Sequence, residues 1–474
     1  MGSIIYLIEP ISHLIPTVPK PIHPIKPNEK LVWTGMVLFI YLIYSQIPIY
    51  GIYKTQDSDP LHYMRTIIAS SRGTLAELGI SPVLGSSYLL SILRTLRIIK
   101  FDASIAQDRI LYEHSVKFVA IIITIGEAIT LLMRGVYGPV NLIGPFNSIL
   151  IVSQLVMGGI IIIILDDLLS NGYGFMSGIS LFISTNISES LMMKAFSPFT
   201  LASERGIEYE GAIISFFHLL IIKKNKIEAL KLAFFRKSAP NLMQLILTLI
   251  ILLIVIYLWR FKIDLKVVRK TVPGETHQIP IKLFYSSTTP IIIINILISN
   301  IYRISQVLYN RHSDSFLIKL LGTWAYKDGE QIPISGIAYF LTPPKNLLSF
   351  IMQPLKSIVY VTIIFYCSGY SSSLMAEVSG KGPIDMARNL KNQGFFLDGL
   401  KDNNETIYQK LNKLIPTVAF LSGMFISGIK ILADLTGAFG TGTGILILVS
   451  NILEVQENNE LKSNEGNTNV FLEE

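Results

Sequence analysis

Apolar runs long enough to cross a bilayer as helices, about 20 residues each, recur along the chain and are separated by polar connections. Eight windows are moderately to strongly apolar: Leu31–Tyr50, Val116–Met133, Ser148–Leu165, Leu242–Trp259, Pro290–Leu308, Ile358–Leu374, Leu414–Leu432 and Gly437–Leu453. Two weaker windows, Ile80–Leu96 and Tyr173–Met193, contain SPVLGSSYLLS and SGISLFISTNISES and bring the count to ten spans. Segments so rich in Ser, Gly, Thr and Asn gain little from lipid and are expected to face protein or water, whereas the Ile-rich GGIIIIILDD and LILTLIILLIVIY are expected to face lipid. Small residues also allow close helix packing, and the pattern alone leaves that alternative open.

One stretch breaks the pattern. In DPLHYMRTIIASSRGTLAELGISP (Asp59–Pro82) the apolar part, Leu61–Ser70, is about half a span before Ser71, Arg72 and Gly73 interrupt it. Irregular backbone at membrane depth is tolerated only inside protein or beside a water-filled cavity. The stretch therefore reads as a stopper in a channel or a transporter.

The connection Lys194–Pro240 divides the spans five and five, as expected of a duplicated membrane fold. The expected organisation is a cytosolic amphipathic segment over 1–30 and a first half over 31–193, with the stopper at about 59–72. A long lumenal connection over 194–240 follows, then a second half over 241–455 with cytosolic loops at 260–282 and 375–413, and a disordered polar tail over 456–474. Within the connection, EGAIISFFHLLIIKKNKIEALKLAFFR reads as a helical hairpin too short to span. The Pro273-Gly274 and Asp398-Gly399 turns predict projections from the two basic loops.

Composition agrees: the 474 residues are 50% hydrophobic and 15% charged, against about 25% charged in soluble domains, with a mean hydropathy of +0.51. The net charge of +7 points in such a chain to cytosolic loops or an anionic partner. The 40 Lys and Arg divide almost evenly between the two sides; leaving out the connection Lys194–Pro240 favours a cytosolic N-terminus. The single cysteine, Cys367, excludes an intrachain disulfide or a zinc cluster. No phosphate-binding loop, HExxH or nucleophile motif is present, so neither a cofactor nor catalysis is expected. GAFGTGTG (Gly437–Gly444) has no lysine after it and reads as close packing at a helix start.

Ionisable residues inside spans carry more information, because a charge at depth costs several kcal/mol unless it finds water or a partner. Glu127 lies mid-span and must be protonated, paired or beside water, with Asn300 a candidate neighbour. Arg303 and Asp434, nearer span ends, are expected to reach an interface.

Taken together, QIPIYGI, DPLHYMRTIIASSRGTLAELGISP, LDDLLSNGYGFMSGISLFISTNI, KAFSPFT, EGAIISFFHLL, PIKLFYSSTTPIII and LADLTGAFGTGTGILI resemble the SecY family, in particular the alpha subunit of the eukaryotic Sec translocon. The resemblance covers nearly the whole chain. It implies an all-α membrane protein with ten transmembrane helices in two pseudo-symmetric five-helix halves around an hourglass pore, with a short plug helix. It implies a protein-conducting channel of the endoplasmic reticulum membrane, with cytosolic termini and a lateral gate open to lipid. The stopper becomes the plug, carried by Leu61, Met64, Ile67 and Ile68.

The resemblance further places a pore ring at Ile80, Leu84, Ile179, Ile183, Ile292 and Ile447, all aliphatic here. A narrow collar of such side chains dewets, stopping ions without trapping a passing peptide. The polar cluster of the gate falls on Gly85, Glu127 and Asn300, where the family typically has a hydroxyl residue and a glutamine at the first two positions. Ribosome docking falls on Arg269, Lys270 and Lys401, the last commonly an arginine. Implied partners are the beta and gamma subunits, the ribosome, signal peptides and nascent chains, post-translational translocation factors, lumenal chaperones and the lipid bilayer. A secondary transporter using midplane charges such as Glu127 is the alternative.

Overall fold

The protein is described here from a computed structural model, over residues 10, 15–23, 25–52, 62–96, 98–99, 106–138, 140–203, 206–223, 225–236, 239–269, 276–285, 288–311, 315–327, 330–344, 347–392, 395–397, 404–439 and 441–470. Each of the ten apolar windows falls on a helix. In chain order spans 1 to 10 are Pro27–Gln46, Ser81–Thr95, Ala106–Met133, Pro145–Leu168, Gly178–Phe196, Leu242–Trp259, Thr289–Arg311, Pro354–Val378, Asn404–Thr436 and Gly442–Val470. Among the described residues seven helices, those of spans 2, 3, 4, 6, 7, 8 and 9, are long and apolar enough to cross a membrane. Spans 1, 5 and 10 are long enough but carry more polar residues. Proline opens spans 1, 2, 4 and 8 within the first two positions, where its missing N–H costs nothing. At the start of span 6 the Asn241 N–H donates to the Gln244 side-chain oxygen at 3.2 Å.

Polarity sorts the helices as the sequence suggests for most of the chain. Span 2, weakly apolar and rich in serine, has 67% of its window buried, and span 6, the most aliphatic, 22%. GGIIIIILDD differs from its expected lipid-facing role: Ile162 and Ile163 are buried in protein. Five consecutive isoleucines cover every face of a helix, and Gly158 and Gly159 draw one face inward. A Cβ at Gly158 would lie 2.6 Å from the Leu75 carbonyl oxygen, and one at Gly159 2.5 Å from Thr124. The polar tail expected to be disordered continues span 10 as helix to Val470, since a nucleated helix adds residues without a new nucleation cost.

The chain packs as two compact units, Met1–Met193 with Ile296–Thr342 and Ile447–Glu474, and Lys194–Asn295 with Pro343–Leu446. The grouping does not follow the halves 31–193 and 241–455, because residues of spans 7 and 10 find partners in the first unit. Asn451 of span 10 donates to the Ser180 carbonyl (3.2 Å) and the Ser184 hydroxyl (2.9 Å) of span 5. The core of the first unit gathers Ile49, Leu78, Leu131, Tyr137, Ile151 and Leu155. Its β5 (Thr323–Lys327) and β6 (Glu330–Ser335) form an antiparallel hairpin.

The second unit holds β1 (Thr200–Ser203) paired with β2 (Gly206–Tyr209), and the expected helical hairpin, Ala212–Ile222 and Lys226–Phe234, closed on Leu219, Ala229 and Ala233. It also holds a three-stranded sheet in the order β4 (Thr276–Lys282), β3 (Lys262–Arg269), β7 (Phe395–Leu397). The strands add to the helical expectation without changing the membrane architecture.

Candidate functional site

The plug segment forms a seven-residue helix, His62–Ile68, tighter than the expected 59–72. Leu61 lies outside the described residues, and of Met64 only the helical backbone is described. Ile67 and Ile68 are buried. The chain leaves this helix through Ala69 in the left-handed region, φ 54°. Three groups then hold the exposed carbonyls of the helix end. The Ile80 N–H donates to the Ile68 carbonyl at 2.9 Å, the Asn186 amide to the Arg65 and Thr66 carbonyls at 3.3 and 3.2 Å, and the Tyr41 hydroxyl to Ala69 at 3.3 Å. Tyr41 itself stacks on Phe182.

A buried ion pair completes the seat. Arg65 Nη2 lies 2.8 Å from Glu77 Oε1, and Glu77 Oε2 accepts the Gly73 N–H. Arg65, Glu77 and Asn186 were not singled out by sequence reasoning. Two opposite charges within one depth-buried stretch would have been the signal for the first two. Asn186, with Ser188 two residues on, reads in sequence only as a glycosylation pattern. Gly79 shows how closely the plug sits: its φ is +56°, and a Cβ there would lie 2.3 Å from the Ile68 carbonyl oxygen.

Of the ring positions, Ile80, Leu84, Ile183 and Ile447 are buried in the first unit, with Ile179 half-buried, and Ile292 is buried in the second unit. Two contacts already described organise those of the first unit. The backbone of Ile80 is bonded to the plug, and Asn451, one helical turn beyond Ile447, ties span 10 to the serines that flank Ile183.

At the gate positions the structure rearranges the expected partners. Gly85 and Asn300 are half-buried. Glu127, 8% exposed, accepts from the Ser81 hydroxyl at 2.9 Å and from Arg303 Nη1 at 3.0 Å. Arg303 Nη2 donates to the Ser299 hydroxyl at 3.2 Å. Arg303 does not reach an interface as the sequence suggests; it is 8% exposed. Its helix runs on to Arg311, which places it two turns inside, and Asn300 lies three positions away on the same face. The neighbour that Glu127 uses is thus Arg303, and the pair links span 3 to span 7 with Ser81 of span 2 attached.

In the second unit the Asp434 carboxylate accepts the Gly442 N–H at 2.9 Å, while Lys430 Nζ, also missed, donates to Asn295 Oδ1 at 3.0 Å. GAFGTGTG acts as close packing: a Cβ on Gly442 would lie 2.5 Å from the Lys430 carbonyl oxygen.

The two basic loops meet in one sheet, since Val267, Val268 and Arg269 of β3 pair with Leu397, Phe396 and Phe395 of β7. The Tyr285 hydroxyl donates to the Lys381 carbonyl at 2.6 Å, and burial pushes its pKa up to about 12. Val267 and Ile281 of the sheet share a core with Leu390, Leu411 and Ile415. Arg269 ends β3; Lys270 and Lys401 lie outside the described residues, as does the expected turn at Asp398-Gly399.

Comparison with known proteins gives one consistent result. A family profile described as SecY matches residues 74–456, and one described as the plug domain of Sec61p matches residues 39–73. The protein transport protein Sec61 subunit alpha of Dictyostelium discoideum is 40% identical over 467 residues, 97% of this chain and 98% of its own. A solved protein-conducting channel superposes with a TM-score of 0.76 at 29% identity, covering 95% of this chain and 96% of its own. Canine Sec61, solved in a ribosome-channel complex from the endoplasmic reticulum, gives 0.73 at 29% identity, covering 95% and 96%.

Proposed function

The chain belongs to the SecY family, and on that premise we propose that it is a passive channel that passes secretory polypeptides across the endoplasmic reticulum membrane and releases transmembrane segments sideways into lipid. The observation that supports this reading is the seat of the plug: its last carbonyls accept from the backbone N–H of Ile80, a ring position in this reading, and from Asn186 on span 5, three residues beyond the ring position Ile183. At rest the aliphatic ring dewets and excludes ions. When an apolar signal helix parts the gate, the plug leaves and the chain threads the ring, which offers it no charge or hydrogen bond to stall on. A segment of about 20 apolar residues then prefers lipid to pore water once its backbone is satisfied as helix.

Nothing in this cycle requires chemistry from the chain, and force comes from synthesis at the ribosome or from lumenal chaperones and post-translational factors. The termini face the cytosol, and the beta and gamma subunits complete the complex. The transporter alternative rested on Glu127 as a free midplane charge. Its pairing with Arg303 removes that support. Site-specific crosslinking of a stalled secretory chain is expected to reach Ile80, Ile183 and Ile292 together. Contact with lipid-facing positions only would overturn the assignment of the ring.

In this reading Arg269, Lys270 and Lys401 meet ribosomal RNA, and the pairing of β3 with β7, which joins the two basic loops in one sheet, supports it. Each phosphate contact on single-stranded RNA adds about 0.7 to the slope of log affinity against log salt. Replacing all three by glutamine is therefore expected to lower that slope by about two and to release ribosomes at moderate salt. An unchanged slope in a binding titration would remove these residues from the docking surface.

A further inference from the structure

The connection between the halves carries an apolar surface that threading and gating do not use. The first helix of its hairpin, Ala212–Ile222, reads AIISFFHLLII, with Ser215 and His218 its only polar side chains. Its buried residues, Ala212, Ser215 and Leu219, form one stripe, since an α-helix turns about 100° per residue. Phe217 and Ile221 fall on the opposite stripe, about half a turn away, and are 59% and 81% exposed. His218 is half-buried and meets the Tyr209 ring edge-on, so the outward stripe carries no polar group. A surface helix in water reserves that side for polar residues, whereas a helix apolar all round is covered by protein or by lipid.

Three observations favour lipid. Leu242, the first residue of span 6, packs on the core of the hairpin, and Met243 and Ile246, within the first two turns of that span, are exposed. The hairpin thus stands beside span 6 at the level where its lipid-facing side begins. Second, Lys226 Nζ donates to the Leu220 and Lys223 carbonyls. This closes the end of the first helix without water, as backbone that enters lipid requires. Third, residues 223–231 hold four lysines against one glutamate, Glu228, which lies 4.0 Å from Lys223. So basic a turn beside an apolar helix is the pattern of a segment lying in the headgroup region, with its cations at the phosphates. With 11 residues the first helix is about half a span long, enough for one leaflet and too short for two.

We propose that the hairpin beds its outward apolar stripe in the bilayer leaflet at which span 6 begins, while the lysines of its turn meet the phosphates of anionic headgroups there. Phe217 and Ile221 then leave water, and the turn gains from the negative potential of the surface. The second unit holds that leaflet at two places, through span 6 and through the hairpin beside it. Only the crossing of the membrane by span 6 is required for this, so the channel reading stands or falls separately.

Spin labels on the complex reconstituted in vesicles test the placement. In a Cys367→Ser background, which removes the single native thiol, Phe217→Cys and Ile221→Cys are labelled with a nitroxide. Collisions with oxygen, which concentrates in lipid, are compared with those of a water-soluble nickel chelate present on both faces of the vesicles. Both labels are expected to meet oxygen and to lose collisions with the chelate. Chelate access at either position means that the stripe lies in water, and access of neither reagent means that protein covers it; either result overturns the proposal. Both side chains are exposed, so the labels leave the core of the hairpin intact. The headgroup contact is read separately, from the depth of the Ile221 label in phosphatidylcholine vesicles with and without phosphatidylserine. A deeper label with phosphatidylserine is expected, and Lys223→Gln together with Lys224→Gln is expected to cancel the difference. Equal depth in both vesicles, or a difference that survives the two substitutions, overturns the contact between the lysines and the phosphates.

Discussion

Arg303→Met is expected to be the most damaging single substitution in the membrane interior, costing the resting state about 3–5 kcal/mol. The reason is asymmetric burial. The Glu127 and Arg303 side chains are each 9% exposed and meet at 3.0 Å, so removing the cation leaves a carboxylate at depth with only the Ser81 hydroxyl as partner. The double variant Glu127→Gln with Arg303→Met removes both charges, and replacing a buried pair by uncharged groups of similar volume is often close to neutral. It is therefore expected to recover most of the loss, and the charge exchange Glu127→Arg with Arg303→Glu part of it. Thermal unfolding of the complex measures the double-mutant cycle. Translocation of reporters with weakly apolar signals reads the gate: the single variant should admit signals that the parent rejects. Strict additivity of the two single effects would show that the pair is not coupled.

How far the sequence foretold this site depends on the range of each interaction. The plug was legible because it violates a length rule that needs no partner: a half-span followed by Ser71, Arg72 and Gly73 cannot cross lipid. The buried second span was legible from its serines and glycines. The partner of Glu127 was not, since it stands 176 positions away and Arg303 falls near the end of an apolar window whose helix in fact runs three residues further, to Arg311. Ile162 and Ile163 were misread because a run of isoleucines has no period, and only the close approach at Gly158 and Gly159 decides which face turns inward. The union of β3 with β7 joins loops more than a hundred residues apart, and no local turn signal announces it. Long-range pairing accounts for most of what was missed.

Gly79→Ala is expected to unseat the plug. Two penalties act together at this position. A φ of +56° costs a residue with a Cβ about 1–2 kcal/mol, and that Cβ would stand 2.3 Å from the Ile68 carbonyl oxygen, far inside van der Waals contact. Backbone has no rotamer with which to give way, so the end of the plug helix must retreat and the bond from the Ile80 N–H is lost. Gly73, six residues earlier, isolates the first penalty. Its φ is +71°, yet nothing lies within 4 Å of a Cβ built there, so Gly73→Ala carries backbone strain alone. In bilayer recordings the Gly79 variant should raise resting ion leak about tenfold or more, the equivalent of roughly 1.4 kcal/mol in the closing equilibrium, while passage of secretory chains persists because the ring itself is intact. The Gly73 variant should leak as little as the parent. If both variants leak alike, strain in the loop and not the contact of Gly79 with Ile68 governs closure, and the hydrogen-bonded seat between plug and collar would have to be abandoned.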